Sequence, residues 1–185
     1  MNKKFSGSEA FAAAAAAPSS RPVSIFTQLG HCLLLALLAS ASYWFVSHYV
    51  LQTVQVVGPS MIPTMHHADH YFLNRLAYHM QAPRPGDIVV VRDPTDGAYV
   101  VKRIIGTPGD SIYFHDGRVY VNGRRLNEPY LSPGMATFTG TNVSEELVQC
   151  GKDQYFIMGD NRGNSFDSRM YGPVTRHSIL GVIMR

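Results

Sequence analysis

Polar and apolar positions divide the chain into stretches of different rhythm. Between Pro22 and Ala68 there is no Asp, Glu, Lys or Arg, and the most apolar part, Cys32 to Leu51 (CLLLALLASASYWFVSHYVL), shows no alternation. Twenty helical residues rise about 30 Å, the thickness of a bilayer's hydrocarbon core. Tyr43, Trp44 and Tyr49 gather toward its C-terminal end, where interfacial aromatic side chains belong. The pattern predicts a transmembrane helix within residues 24–51. A cleaved signal peptide is the alternative, because Leu33–Leu38 is followed by the small residues Ala39-Ser40-Ala41. The run stays apolar well beyond that site, which favours an uncleaved anchor.

Past residue 51 the rhythm shortens to that of strands. DIVVV at Asp87–Val91, the run from Gly97 to Ile105, SIYFH, RVYV and QYFIM at Gln154–Met158 all read as strands. Asp116-Gly117 and Asn122-Gly123 sit between alternating runs and predict two tight hairpins. Residues 129–152, rich in Thr, Ser, Gly and Pro, read as an inserted flap. With no repeat and no βαβ rhythm, 52–185 is expected to be one mainly β domain. Residues 1–23 hold Lys3, Lys4, an alanine run and Pro18-Ser19-Ser20-Arg21-Pro22, and read as a flexible tail. The positive-inside rule puts this tail in the cytoplasm and the β domain across the membrane.

Composition narrows the chemistry. The chain has 185 residues and a net charge of +3, with Lys and Arg spread rather than clustered, which argues against a nucleic-acid partner. Only 16% of residues are charged, which fits a chain part of which avoids water. Cys32 lies in the apolar run, leaving Cys150 alone, so the β domain has no internal disulfide. His66, His67 and His70 have no further ligand at a known metal spacing, and neither metal nor cofactor is expected.

Four segments remain. Ser60 stands between prolines in GPSMIPT; by itself this is a loop. Lys102 lies on a strand with Val100 and Ile104 on its own face, and Arg103 points the other way. Lys102 reads either as a snorkelling edge lysine or as a desolvated one. Burial that lowered its pKa by about two or three units from roughly 10.4 would make a neutral base, at a cost on the order of 3–4 kcal/mol. GDNRGNSFDSR, from Gly159 to Arg169, places Asp167 and Arg169 two apart, where they can form an ion pair. Pro85-Gly86-Asp87 is turn chemistry. No Ser-His-Asp constellation suggests itself, and a serine nucleophile needs a base within about 3 Å. A lysine can replace His and Asp together.

In this order SMIPT (Ser60–Thr64), PGDIVVV (Pro85–Val91), VKRIIGTPGD (Val101–Asp110) and GDNRGNSFDSRMYGPV (Gly159–Val174) resemble the type I signal peptidase (leader peptidase) family, which includes the mitochondrial inner-membrane peptidases. The likeness runs from about Val54 to Gly181. It implies a signal-peptidase-like β catalytic domain with a small β-rich flap behind one membrane helix. It implies Ser60 as nucleophile, Lys102 as general base, Ser165 orienting the lysine, and Asp167 and Arg169 in support. Val54, Val56, Met61 and Val101 fall where pockets for small residues at −1 and −3 would be. The implied partners are signal-peptide-bearing preproteins and the lipid bilayer, with single-pass anchorage in the inner (plasma) membrane. One departure is Gly58, where some relatives carry a serine that completes the oxyanion hole. Other readings are a specialised peptidase or pilin maturase, a self-cleaving Ser-Lys repressor, which the membrane span opposes, and an inactive tethered peptide binder.

Overall fold

The computed structural model describes residues 24–46, 51–139 and 146–184, in two compact units divided after Ala41. Helix α1 runs Ile25–Phe45, and none of its residues is buried against protein. Leu33, Leu35, Leu37 and Leu38 are each more than half exposed. An apolar surface of that kind must be kept from water by lipid or by another protein. Its 21 residues are long and apolar enough to cross a membrane. Leu51, expected to close this helix, instead opens a strand and pairs with Asn74. The apolar run continues past the end of the helix to the first residue of a strand, and composition alone does not mark that boundary.

The strands follow as β1 (Leu51–Gln55), β2 (His70–Asn74), β3 (Ile88–Arg92), β4 (Tyr99–Gly106), β5 (Ser111–His115) and β6 (Arg118–Val121). After them come β7 (Arg124–Arg125), β8 (Glu146–Gln149), β9 (Gln154–Met158), β10 (Val174–Thr175) and β11 (Ile179–Met184). Two short helices intervene, α2 (Ala77–Met80) and α3 (Ser168–Tyr171). A seven-stranded sheet has the order β1-β2-β11-β3-β4-β9-β10, and a four-stranded one β7-β6-β5-β8. Every pairing is antiparallel. The architecture is mainly β, as expected.

The Val-rich run of β3 is buried along its length because both of its faces are covered. Val89 and Val91 pack with Ile104, Tyr155, Ile157 and Ile179. Ile88 and Val90 pack on the other side with Met61, Met65, Leu73 and Ile183. Each such side chain contributes about 1.5–3 kcal/mol on burial, which makes this the part of the molecule best able to hold a charged group out of water. A third cluster, around Ile112, Phe114, Val119 and Phe156, lies under the small sheet. Both predicted hairpins form: Asp116, Gly117, Asn122 and Gly123 all have positive φ, as type I′ turns require. Of the segment read as a flap, Glu146–Gln149 is β8 and pairs with β5, so it shares a sheet with the two hairpins.

Candidate active site

The inner strand β4, between β3 and β9, carries Lys102 into the protein. Its partner Val89 belongs to the first core cluster, so the Lys102 stem points to that face and only 3% of the residue is exposed. Its ammonium nitrogen donates to Ser165 Oγ at 3.0 Å. Among the described residues no carboxylate lies within ion-pair distance of it. Burial holds the Lys102 pKa below the ordinary lysine value, and the charge of Arg169 adds to this. The charges of Asp167 and Asp93 pull the other way, each more strongly than Arg169 pushes. Of the two readings of Lys102, the desolvated lysine is the one this structure shows.

Ser165 sits on the loop between β9 and α3. The Ser165 hydroxyl accepts from Lys102 through a lone pair, and its side chain also helps to favour the charged form of Asp167. Asp167 is fully buried. It accepts Arg169 Nε and Nη2 on separate oxygens at 2.8 Å each, and the Gly159 amide at 3.0 Å. Burial opposes the charge, but these donors together hold the carboxyl below its usual range. The i, i+2 ion pair read from the sequence is present. Asp167 also caps the first turn of α3, accepting the Arg169 amide at 3.2 Å.

Ser60, half-buried, meets this loop through its backbone. Its carbonyl accepts the Asn161 amide at 2.9 Å, and Asn161 Nδ2 donates to the Pro59 carbonyl at 3.1 Å. A Cβ on Gly159 would collide with both Ser165 Oγ and the Ser60 carbonyl, so the two serines approach each other only because residue 159 has no side chain. No hydrogen bond joins Ser60 Oγ to Lys102 here; such contacts commonly tighten once substrate binds. Gly58 has φ +93° and open space where a Cβ would stand. Its amide donates to His67 Nδ1 at 3.3 Å.

Val54, Val56, Met61 and Val101 come together in or against the second core cluster, with Val56 and Met61 fully inside it. Val101 precedes Lys102 and points to the other side of β4. A cleft of about 300 Å³ includes Val54, Leu73, Val90 and Tyr99 in its lining. A larger one, about 520 Å³, lies beside Arg118, Arg125 and Leu131 and holds none of the residues expected in catalysis.

Several neighbours of the site were not legible in the sequence. Arg103, read only as pointing away from Lys102, is 7% exposed and forks onto Asp160, which is fully buried, at 2.8 and 2.6 Å. Ser168 Oγ accepts the Ile157 amide at 3.0 Å and ties the loop to β9. The partners are 57 and 11 residues apart, and only the adjacency of β4 and β9 brings the first pair together.

Known proteins resemble this chain in sequence along most of its length. Signal peptidase I T of Bacillus subtilis (strain 168) is 33% identical over 161 residues, covering 84% of this chain and 82% of its own length. Signal peptidase I V of the same organism is 34% identical over 146 residues, covering 75% of this chain and 86% of its own. The crystal structure of a signal peptidase I from Enterococcus faecalis V583 is 30% identical, with a TM-score of 0.48 over 56% of this chain and 98% of that one. The model of the family described as signal peptidase, peptidase S26, matches residues 28–185, from within the apolar helix to the last strand. The buried lysine, the loop that receives it and the helix before them therefore belong to a member of the signal peptidase family of serine hydrolases.

Proposed function

We propose that the chain removes N-terminal signal peptides from exported preproteins with a Ser60–Lys102 dyad, cutting after small residues at −3 and −1. The observation that carries this reading is the isolation of Lys102: buried, bonded to one neutral hydroxyl, and without a carboxylate in contact. A lysine so placed gives up its proton more readily than one in water.

The neutral amine takes the Ser60 Oγ proton as Oγ attacks the scissile carbonyl carbon. The tetrahedral oxyanion receives the Ser60 backbone N–H. When the C–N bond breaks, the Lys102 ammonium returns the proton to the departing amine, leaving a Ser60 ester. Water attacks the ester while Lys102 takes its proton, and Ser60 leaves as the alcohol. Ser165 keeps the lysine nitrogen aimed, and Asp167 with Arg169 holds Ser165. Val54 and Val101 line shallow apolar pockets that admit small side chains, and Val56 and Met61 back those pockets from inside the core. Gly58 brings no side-chain donor to the oxyanion, and its positive φ disfavours one. A missing donor elsewhere costs about 3 kcal/mol, so the backbone donor carries that stabilisation here. The helix anchors the chain by a single pass, with the N-terminus cytoplasmic and the catalytic domain on the extracytoplasmic side.

The test is cleavage of a preprotein bearing an Ala-x-Ala site by the detergent-solubilised full chain, with product termini read by mass spectrometry. Cleavage after the last Ala, lost in both Ser60→Ala and Lys102→Ala, is expected. Cleavage elsewhere, or retained in either variant, overturns the reading.

A further inference from the structure

The loop from Gly159 to Arg162 supplies the amide that holds the Ser60 carbonyl, yet what holds the loop is a separate set of residues. The buried Arg162 side chain bends back under its own backbone and donates Nε to the Gly159 carbonyl at 3.1 Å. Its two terminal nitrogens leave the loop, Nη1 to Thr137 Oγ1 and Nη2 to the Glu128 carboxylate, each at 2.5 Å. Glu128 Oε1 also accepts the Tyr130 hydroxyl at 2.9 Å. The Tyr130 ring carries the Arg103 guanidinium 3.9 Å from its centre, and Arg103 forks onto Asp160. Both arginines thus grip consecutive residues of one loop, and the routes from them meet at Glu128.

Resting on the function proposed above, we infer that Glu128 is a positioning residue of the peptidase: it closes a buried ring, Arg162–Glu128–Tyr130–Arg103–Asp160, that presses Asn161 against Ser60. The Arg162 side chain is 1% exposed and that of Glu128 10%, so the pair is held out of water and neither group is readily replaced by solvent. Asn161 stands between Asp160 and Arg162, the two members of the ring that belong to the loop, and its amide and side chain each hold a carbonyl of the nucleophile loop. A slack ring leaves Ser60 attached but imprecisely placed. Misplacement of a reacting group by about 1 Å can lower the rate roughly a hundredfold while binding is kept. Glu128, Tyr130 and Thr137 thereby serve catalysis through the loop that holds Ser60.

Glu128→Gln keeps the shape and removes the charge. In the full chain kcat should fall roughly tenfold or more per folded molecule, with KM changed less than about twofold. Hydrogen exchange of the Asn161 amide should speed by a similar factor while the β9 amides stay protected. Tyr130→Phe, which removes one hydroxyl and keeps the stack on Arg103, should give a smaller change of the same kind and serves if Glu128→Gln does not fold. Combined with Asn161→Ala, Glu128→Gln should cost much less than it does alone, because both act on the same contact. Unchanged kcat and Asn161 exchange in a folded variant, or additive effects in the double variant, overturn the inference. Wild-type protein that cleaves no preprotein refutes the proposed function instead, and the exchange measurement still decides whether Glu128 holds the loop.

Discussion

Lys102 and Arg103 are neighbours on β4, both almost wholly buried, and the protein treats them in opposite ways. Arg103 points to one side and finds Asp160 on two nitrogens, the Gly86 carbonyl at 2.9 Å and the face of Tyr130. Lys102 points to the other side and finds one hydroxyl. Arginine stays protonated at any accessible pH, so burying it requires a full set of acceptors. Lysine can shed its charge, and burial without a counter-ion pushes it to do so. A fixed charge is paired with a carboxylate in contact, and a removable one is left with a neutral hydroxyl, which is what the proposed role of Lys102 as a base requires.

The comparison is broken most severely at Lys102. Lys102→Met should lower kcat/KM by at least about 10³-fold, on the scale of losing a base from a nucleophile–base unit. Thermal unfolding should show the variant no less stable than wild type at neutral pH, because an apolar residue replaces a reluctant cation. The sign follows from linkage. A lysine whose folded pKa is lowered binds fewer protons folded than unfolded between that value and the ordinary one, so it contributes stability that rises with pH across this window. Wild type should therefore gain stability over Lys102→Met as pH rises through it.

At Arg103 the opposite division is expected. Arg103→Leu strands the buried Asp160 carboxylate and should cost about 3–5 kcal/mol in denaturant unfolding. Its loss of activity should track the fraction unfolded and the placement of Ser60, with no change in the pH dependence contributed by Lys102. Equal stability losses from Lys102→Met and Arg103→Leu would erase the distinction.

The third effect is smaller and purely electrostatic. Asp93 is buried, accepts the Thr95 amide and hydroxyl, and favours the charged form of Lys102 from a distance. Asp93→Asn should move the acid limb of the kcat/KM profile to lower pH, with little loss at the plateau. A shift to higher pH would contradict the stated balance of charges around Lys102.

How much of this was legible in the sequence depends on how far apart the partners lie. Asp167 and Arg169 are two residues apart, and spacing alone predicted their ion pair. The hairpins at Asp116-Gly117 and Asn122-Gly123 are equally local, and dipeptide chemistry was enough. Strand alternation put Lys102 and Arg103 on opposite faces, but it could not say that both faces are covered, which depends on the residues distant in sequence that pack on either side of the sheet. Arg103 with Asp160 and Arg162 with Glu128 are joined across 57 and 34 residues, and no periodicity carries that information. Leu51 failed for the same reason: its strand identity comes from Asn74. Ser60 was found through the likeness of its segment to a family, since a serine between prolines has no pattern of its own.

The proposed dyad needs Lys102 neutral at working pH, a state that its burial favours. The most direct measurement is the titration of the Lys102 side-chain nitrogen by NMR in selectively labelled full-length protein, set beside the pH profile of kcat/KM for preprotein cleavage. One inflection common to both is expected, below the ordinary lysine value, and it should disappear with Lys102→Met. Titration of Lys102 at the ordinary value, or an acid limb of activity that does not coincide with it, would contradict the account.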